Sequence, residues 1–288
     1  RGYEQALRLR VLPEFGSWRL RELRTVDVAQ WVERMAADGL APSTIDTTLN
    51  PLRRIYVRAV TLGLAEHNPT TGVEHPAIER RPKWIPDVAL CLDLLDALPQ
   101  RDRAPWATAM FAGLRRGEMV GLHSEDVDLA AGIIHVRRGW DAIVGEVAPK
   151  SSHGARSVPI VALLRDELAE HRARHPDLRP AGPLLGTLGH LVAVYDRSRA
   201  RWGDLGMRTV TFHDCRHAAA SFFIAAGGNA KAISSVLGHA SIATTFDLYG
   251  HLLAGAEDEL CRLADGFLSA AAHKRVAPAP QPVRSVQA

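Results

Sequence analysis

Lysine is almost missing from this chain. Among 35 basic residues only Lys83, Lys150, Lys231 and Lys274 are lysines, so arginine supplies nearly all the positive charge and a lysine in a polar stretch stands out. Cysteine is equally sparse. Cys91, Cys215 and Cys261 lie far apart and without metal-ligand spacing, which excludes a disulfide framework and points to reduced thiols in a cytoplasmic protein. No apolar run approaches a membrane span and no signal-peptide pattern opens the chain, so no membrane partner is expected. The first residues, RGYEQALRLR, lack a starting Met and already read as helix; the natural amino-terminal part is expected to be missing. A dominant charge is lacking as well, since 35 basic residues against 32 acidic leave +3. That balance permits a nucleic-acid partner and does not demand one. No internal repeat is present.

What the chain does have is length and helical periodicity. With 288 residues, 47% hydrophobic and 23% charged, it can bury one large core or two smaller ones. Residues 1–75 read as a small helical bundle. Thr25 is placed to cap TVDVAQWVERMAADG, Val28, Trp31, Val32 and Met35 share one face, and Gly39 ends it. STIDTTLNPLRRIYVRAVTLG starts at Ser43 and stops at Gly63, and Pro51 should bend or split it. Residues 76–84, with two prolines before Trp84 and the basic cluster Arg80, Arg81 and Lys83, read as a linker. In 85–271 helical patterns enclose three short β-branched runs, AGIIHVRRG, AIVGEVAP and ARSVPI, which signal a small antiparallel sheet. The fold class is therefore mainly α with a small antiparallel β-sheet, in two domains. Residues 272–288 end in the Pro-rich APAPQPVRSVQA and read as a disordered tail.

Several polar residues do not look like core. FHDCRHAAASF places His213, Arg216 and His217 at the head of an apolar helix, where unpaired backbone N–H groups favour an anion. No HExxH glutamate or cysteine set accompanies these histidines, so neither a metal site nor a cofactor is expected. GLRRGE puts Arg115 and Arg116 after a glycine turn, with Glu118 placed to hold one arginine while its fork points elsewhere. Lys150 sits in the Ser- and Gly-rich APKSSHGAR. Tyr249, in TTFDLYGH, could be a packing aromatic or a nucleophile. Two guanidiniums can clamp a phosphodiester and stabilise charge as it builds. Histidine can donate or relay a proton, and lysine can protonate a departing alkoxide. Tyrosine attacks once cationic surroundings or a base assist it. Together they would suffice for metal-free transesterification of a phosphodiester.

The chain resembles the tyrosine recombinase family, the phage-type integrases, from about residue 2 to residue 268. GLRRGEMVGLHSEDVD is similar to the family's first box, which makes Arg115 catalytic and Glu118 the acid that supports it. APKSSHGARSVPI resembles the hairpin that carries the catalytic lysine, here Lys150. FHDCRHAAASF resembles the histidine-x-x-arginine box and assigns His213 and Arg216. VLGHASIATTFDLYGH resembles the last box, whose histidine is His239 and whose nucleophile is Tyr249. The resemblance implies a two-domain clamp on double-stranded DNA, with 1–75 as the core-type DNA-binding domain and 85–271 as the catalytic domain. It implies a 3′-phosphotyrosine intermediate and site-specific DNA recombination or integration without metal or ATP. It also implies a homotetramer on two DNA sites, in which AEDELCRLADGFLSAA docks on a neighbouring protomer.

Two other readings stand beside this one. A type IB topoisomerase uses similar chemistry to relax one duplex as a monomer. A catalytically inactive paralogue would bind DNA alone, although all six key positions hold the residue types the chemistry needs.

Overall fold

In TVDVAQWVERMAA the apolar residues fall three and four apart, which sets one helix face against a core. The computed structural model describes residues 2–74, 84–148, 154–238 and Asp265. The chain divides into two compact units, Arg1–Lys83 and Trp84–Ala288. The first consists of α1 (Gly2–Ala6), a π-helical turn (Leu7–Val11), α2 (Leu12–Phe15), α3 (Thr25–Ala37) and α4 (Pro42–Thr61). Its core takes Val28, Trp31, Val32 and Met35 from α3 and Ile45, Leu49, Leu52 and Tyr56 from α4. Phe15 meets Trp31 edge-on, with ring centroids 5.0 Å apart.

Two sequence expectations are corrected in this unit, and a third is narrowed. Thr25 is the first helical residue and not the cap; the Asp27 carboxylate accepts the Arg24 N–H at 3.0 Å and closes that turn. Helix α4 begins at Pro42 instead of Ser43, and the fixed φ and missing N–H of proline suit a first helical position. Pro51 does not split α4, which runs through it as one helix of 20 residues. An interior proline costs about 3 kcal/mol. Burying Leu49 and Leu52 beside it returns about 1.5–3 kcal/mol each, so the helix survives the lost bond.

The second unit runs α5 (Val88–Asp96), α6 (Gln100–Ala107), a π-helical turn (Thr108–Ala112), α7 (Arg116–Val120), a 3₁₀ turn (Ser124–Asp126), β1 (Val127–Asp128), β2 (Ile133–Val136), β3 (Gly139–Asp141), β4 (Gly145–Val147), β5 (Arg156–Pro159), α8 (Ala162–Arg174), α9 (Leu188–Asp204), α10 (Phe212–Ala225) and α11 (Ala230–Leu237). Of the linker expected at 76–84, only Trp84 is among the described residues; the Arg208 guanidinium lies 3.5 Å from its ring centroid. Around Trp106 the core is aromatic, with Trp202 at 4.6 Å and Phe212 at 4.3 Å between centroids. Both indole N–H groups are satisfied, Trp106 donating to Ser198 Oγ at 2.9 Å and Trp202 to the Leu94 carbonyl at 2.8 Å. Because Phe212 opens α10, this cluster fixes where that helix starts. Cys91 and Cys215 are buried free thiols. Burial and Asp87 push the Cys91 thiol up to about 12, and burial raises Cys215 well above the ordinary thiol value. Both are therefore protonated at neutral pH. Cys261 lies outside the described residues. No helix among the described residues is long and apolar enough to cross a membrane.

The expected sheet forms as two pieces. β1, β2 and β5 make a three-stranded antiparallel sheet, and β3 pairs with β4 in a separate ribbon. The register sets Ile134 opposite Val158 and Val136 opposite Arg156. Directly paired residues share a sheet face, so Arg156 projects with the buried Ile134, Val136 and Val158. Among the described residues the strands on either side of the Lys150 segment pair with different neighbours, β4 with β3 and β5 with β2. They do not form a hairpin with each other there.

Gly113 ends the π-helical turn at φ 67°, and a Cβ there would stand 2.9 Å from Leu237 Cδ2 and 3.0 Å from Ala219 Cβ. Gly206 has a similar φ of 68° and open space around it. Gly113→Ala is expected to destabilise its unit by about 2–5 kcal/mol, left-handed strain plus overpacking. Gly206→Ala should cost only the strain, about 1–2 kcal/mol. Urea unfolding of both variants followed by tryptophan fluorescence checks the difference, and equal losses would contradict the packing account.

Candidate functional site

A helix leaves its last four carbonyls without intrahelical donors and gathers partial negative charge at that end. Helix α11 meets this need with an unusual set of partners. Gly238 turns left-handed at φ 63° and its N–H reaches the Ser234 and Ser235 carbonyls. The next three carbonyls accept from three arginines on other elements. Arg156 Nε donates to Val236 at 2.6 Å, Arg216 donates to Leu237, and Arg115 donates to Gly238 at 2.9 Å. Arg216 also donates to the Gly113 carbonyl at 2.5 Å. It is only 4% exposed. Arg115 stands at the head of α7, Arg156 opens β5 and Arg216 lies in the second turn of α10. Chain segments from Arg115 to Gly238 thus meet at one helix end.

Glu118 balances this charge. Its Oε1 accepts from Arg115 at 2.7 Å and Arg156 at 2.9 Å, and its Oε2 accepts from the Arg115 backbone at 2.9 Å and Arg156 at 2.8 Å. Burial alone would raise this carboxyl. The bonds and charge of Arg156, followed by those of Arg115, outweigh burial and hold it down at about 2. The Arg115 side chain remains 44% exposed, so its guanidinium can face an anion while Glu118 fixes one edge.

His213 occupies the first turn of α10, which Thr211 and Asp214 close by reciprocal capping: Asp214 N–H to Thr211 Oγ1 at 3.1 Å, and Thr211 N–H to Asp214 Oδ2 at 3.0 Å. Its ring is exposed and lies 4.7 Å from that of His217, nearly perpendicular to it. It borders a cavity of about 360 Å³ shared with Arg116, Tyr195, Asp196 and Phe212. The structure thus gathers Arg115, Glu118 and Arg216 around the end of α11 and sets His213 on the same helix as Arg216. Lys150, His239 and Tyr249 lie outside the described residues, although His239 follows Gly238 directly in the chain. Among the described residues no three histidine, cysteine or carboxylate side chains are grouped to hold a metal ion.

Sequence reasoning missed Arg156. The signal was available in RSVP, where alternation around the apolar Val158 puts Arg156 on the same strand face.

Such a site suits an oxyanion, because guanidinium forks match non-bridging phosphate oxygens. The family model described as the phage integrase family matches residues 193–255. Tyrosine recombinase XerC of Yersinia pestis is 31% identical over 250 residues, covering 81% of this chain and 77% of that protein. The corresponding protein of Azotobacter vinelandii is 30% identical over 233 residues, covering 77% and 73%. The chain belongs to the tyrosine recombinase family. Solved structures agree on the fold. The Tn1549 transposon integrase in complex with transposon right end DNA gives a TM-score of 0.75 at 22% identity, covering 91% of this chain and 92% of that one. A lambda integrase dimer bound to a core site gives 0.61 at 14%, covering 84% and 88%. The mainly helical architecture with a small antiparallel sheet is thus the tyrosine recombinase fold, and cleavage and rejoining of DNA strands is the family's reaction.

In this chain the arginine cluster has a pH signature. Because Glu118 is held below its ordinary value of 4.5, its stabilisation is fully present above about 4.5 and disappears as pH falls towards about 2. Glu118→Gln leaves a buried guanidinium uncompensated and should cost about 3–5 kcal/mol at pH 7. The difference from the unaltered chain should shrink steadily between those two pH values. Urea unfolding across the pH series measures it; a pH-independent difference would contradict the assignment.

Proposed function

We propose that this chain is a site-specific DNA recombinase, an integrase, acting through a 3′-phosphotyrosine. One observation supports this most. Arg115 and Arg216, from boxes about a hundred residues apart in the chain, both bond to the end of α11 immediately before His239. In this reading the Tyr249 hydroxyl releases its proton to solvent as its oxygen attacks the scissile phosphorus, and the bond to the 5′-oxygen breaks. Arg115 and Arg216 stabilise the charge on the non-bridging oxygens, with hydrogen bonds from His213 and His239. Lys150 gives the leaving oxygen its proton. The free 5′-hydroxyl of the partner strand then attacks the phosphotyrosine and returns a proton to Lys150, while the expelled Tyr249 oxygen takes one up from solvent and the strands are joined. Bond energy stays in the covalent link, so the cycle needs neither nucleotide nor metal. Residues 1–75 serve as the core-type DNA-binding domain and 85–271 as the catalytic domain. Four protomers act on two DNA sites, and residues 256–271, of which only Asp265 is described, dock on a neighbour.

A duplex selected by the protein from a random-sequence pool, nicked beside the cleavage site to trap product, provides the test. Tyr249→Phe should bind it and form no covalent adduct on a denaturing gel; an undiminished adduct would place the nucleophile elsewhere. Exchange of strands between two duplexes separates recombination from relaxation of one duplex.

Lys150 is tested separately. Lysine, with an ordinary pKa near 10.4, can be tuned to act as an acid, whereas arginine holds its proton too tightly. Lys150→Ala should cleave a normal 5′-oxygen substrate slowly and regain most of its rate when sulfur replaces that oxygen. Equal slowness on both substrates would make Lys150 a phosphate-positioning residue and pass the acid role to a histidine.

A further inference from the structure

One arginine of the cluster has no part in the chemistry above. Arg156 has a side chain only 4% exposed, and burying a guanidinium is costly unless its donors are taken. They are taken. Nε bonds Val236 O at 2.6 Å, NH1 bonds Glu118 Oε1 at 2.9 Å and Gly154 O at 3.3 Å, and NH2 bonds Glu118 Oε2 at 2.8 Å.

Each contact leads towards a different part of the site. Glu118 holds Arg115, Val236 precedes His239 by three residues, and Gly154 follows Lys150 by four. A bidentate fork fixes the plane of a carboxylate as well as its position. With that plane fixed by Arg156, Oε1 is aimed at the Arg115 guanidinium and Oε2 at its backbone N–H. The fork is itself anchored on β5, where pairing with Val136 turns Arg156 inward. A rigid strand thus sets the orientation of a half-exposed arginine two contacts away.

We infer that Arg156 is a positioning residue for strand cleavage, which orients Arg115 through Glu118 without itself touching DNA. This rests on the reading in which Arg115 acts on the scissile phosphate.

The experiment is single-turnover adduct formation on the nicked duplex over a range of DNA concentrations. Arg156→Lys keeps the charge and loses the fork. Its rate at saturating DNA should fall about 10²-fold, the effect of misplacing a catalytic group by about 1 Å. The half-saturating DNA concentration should change less than about 2-fold, because the loss lies in the transition state. In an Arg115→Ala background the same substitution should cost less than about 3-fold, since its route runs through Arg115. An undiminished rate at saturation, a loss confined to the half-saturating concentration, or the full loss repeated in the Arg115→Ala background would overturn the inference. Should Arg156→Lys fail to fold, Glu118→Met with Arg156→Met leaves no buried charge of the pair unmatched and takes its place. That variant must show the same loss at saturation, and an unaltered rate overturns the inference. Absence of any adduct with the unaltered chain would overturn the proposed function and this inference with it. Adduct formed at full rate by Arg156→Lys would overturn this inference alone.

Discussion

The carbonyl end of α11 is the contact on which the second unit turns. Guanidiniums repel one another, at about 4 kcal/mol for two charges 4 Å apart in a protein-like dielectric. A cluster of them persists only where something negative holds each in place. Here the negative partners include the peptide carbonyls of Val236, Leu237 and Gly238 and the carboxylate of Glu118. Carbonyl dipoles hold cations in place without cancelling their charge. The cluster therefore stays electropositive.

Supporting this helix end takes much of the unit. Trp106, Trp202 and Phe212 fix the start of α10, and Arg216 follows in its second turn. The left-handed turn at Gly113 brings the chain out of its π-helical segment and into the arginine motif. Sheet register directs Arg156 inward. These supports come from packing, backbone geometry and strand pairing respectively, and each delivers one guanidinium or its anchor to the same few ångströms.

What could be read from the sequence was local. The glycine turn and short helix around Arg115, the head of α10 and the α11 helix ending at Gly238 follow from periodicity, glycine and capping chemistry within a few residues. What could not be read depended on partners far along the chain. Pro51 looked like a bend or a break because its lost bond is local, whereas the burial that lets the helix run on is tertiary. The ribbon of β3 and β4 separated from the main sheet because strand pairing is decided between segments and not within them. Arg156 was passed over because a charged residue in a short strand reads as solvent-facing unless alternation is followed through it. Lys150, His239 and Tyr249 were legible only through the motifs around them, and their geometry lies outside the described residues.

Gly113 shows how little freedom such convergence leaves. Its φ excludes most side chains, its missing Cβ lets Leu237 and Ala219 close in, and its carbonyl receives Arg216. These demands come from three different neighbours, so a change that relieves one leaves the others in force. Trimming Leu237 would make room for a methyl group at 113 while loosening the residue whose carbonyl also receives Arg216. A replacement at this position would therefore need simultaneous changes on α10 and α11 together with a redrawn backbone. Stepwise substitution has no intermediate there that keeps both the packing and the arginine in place.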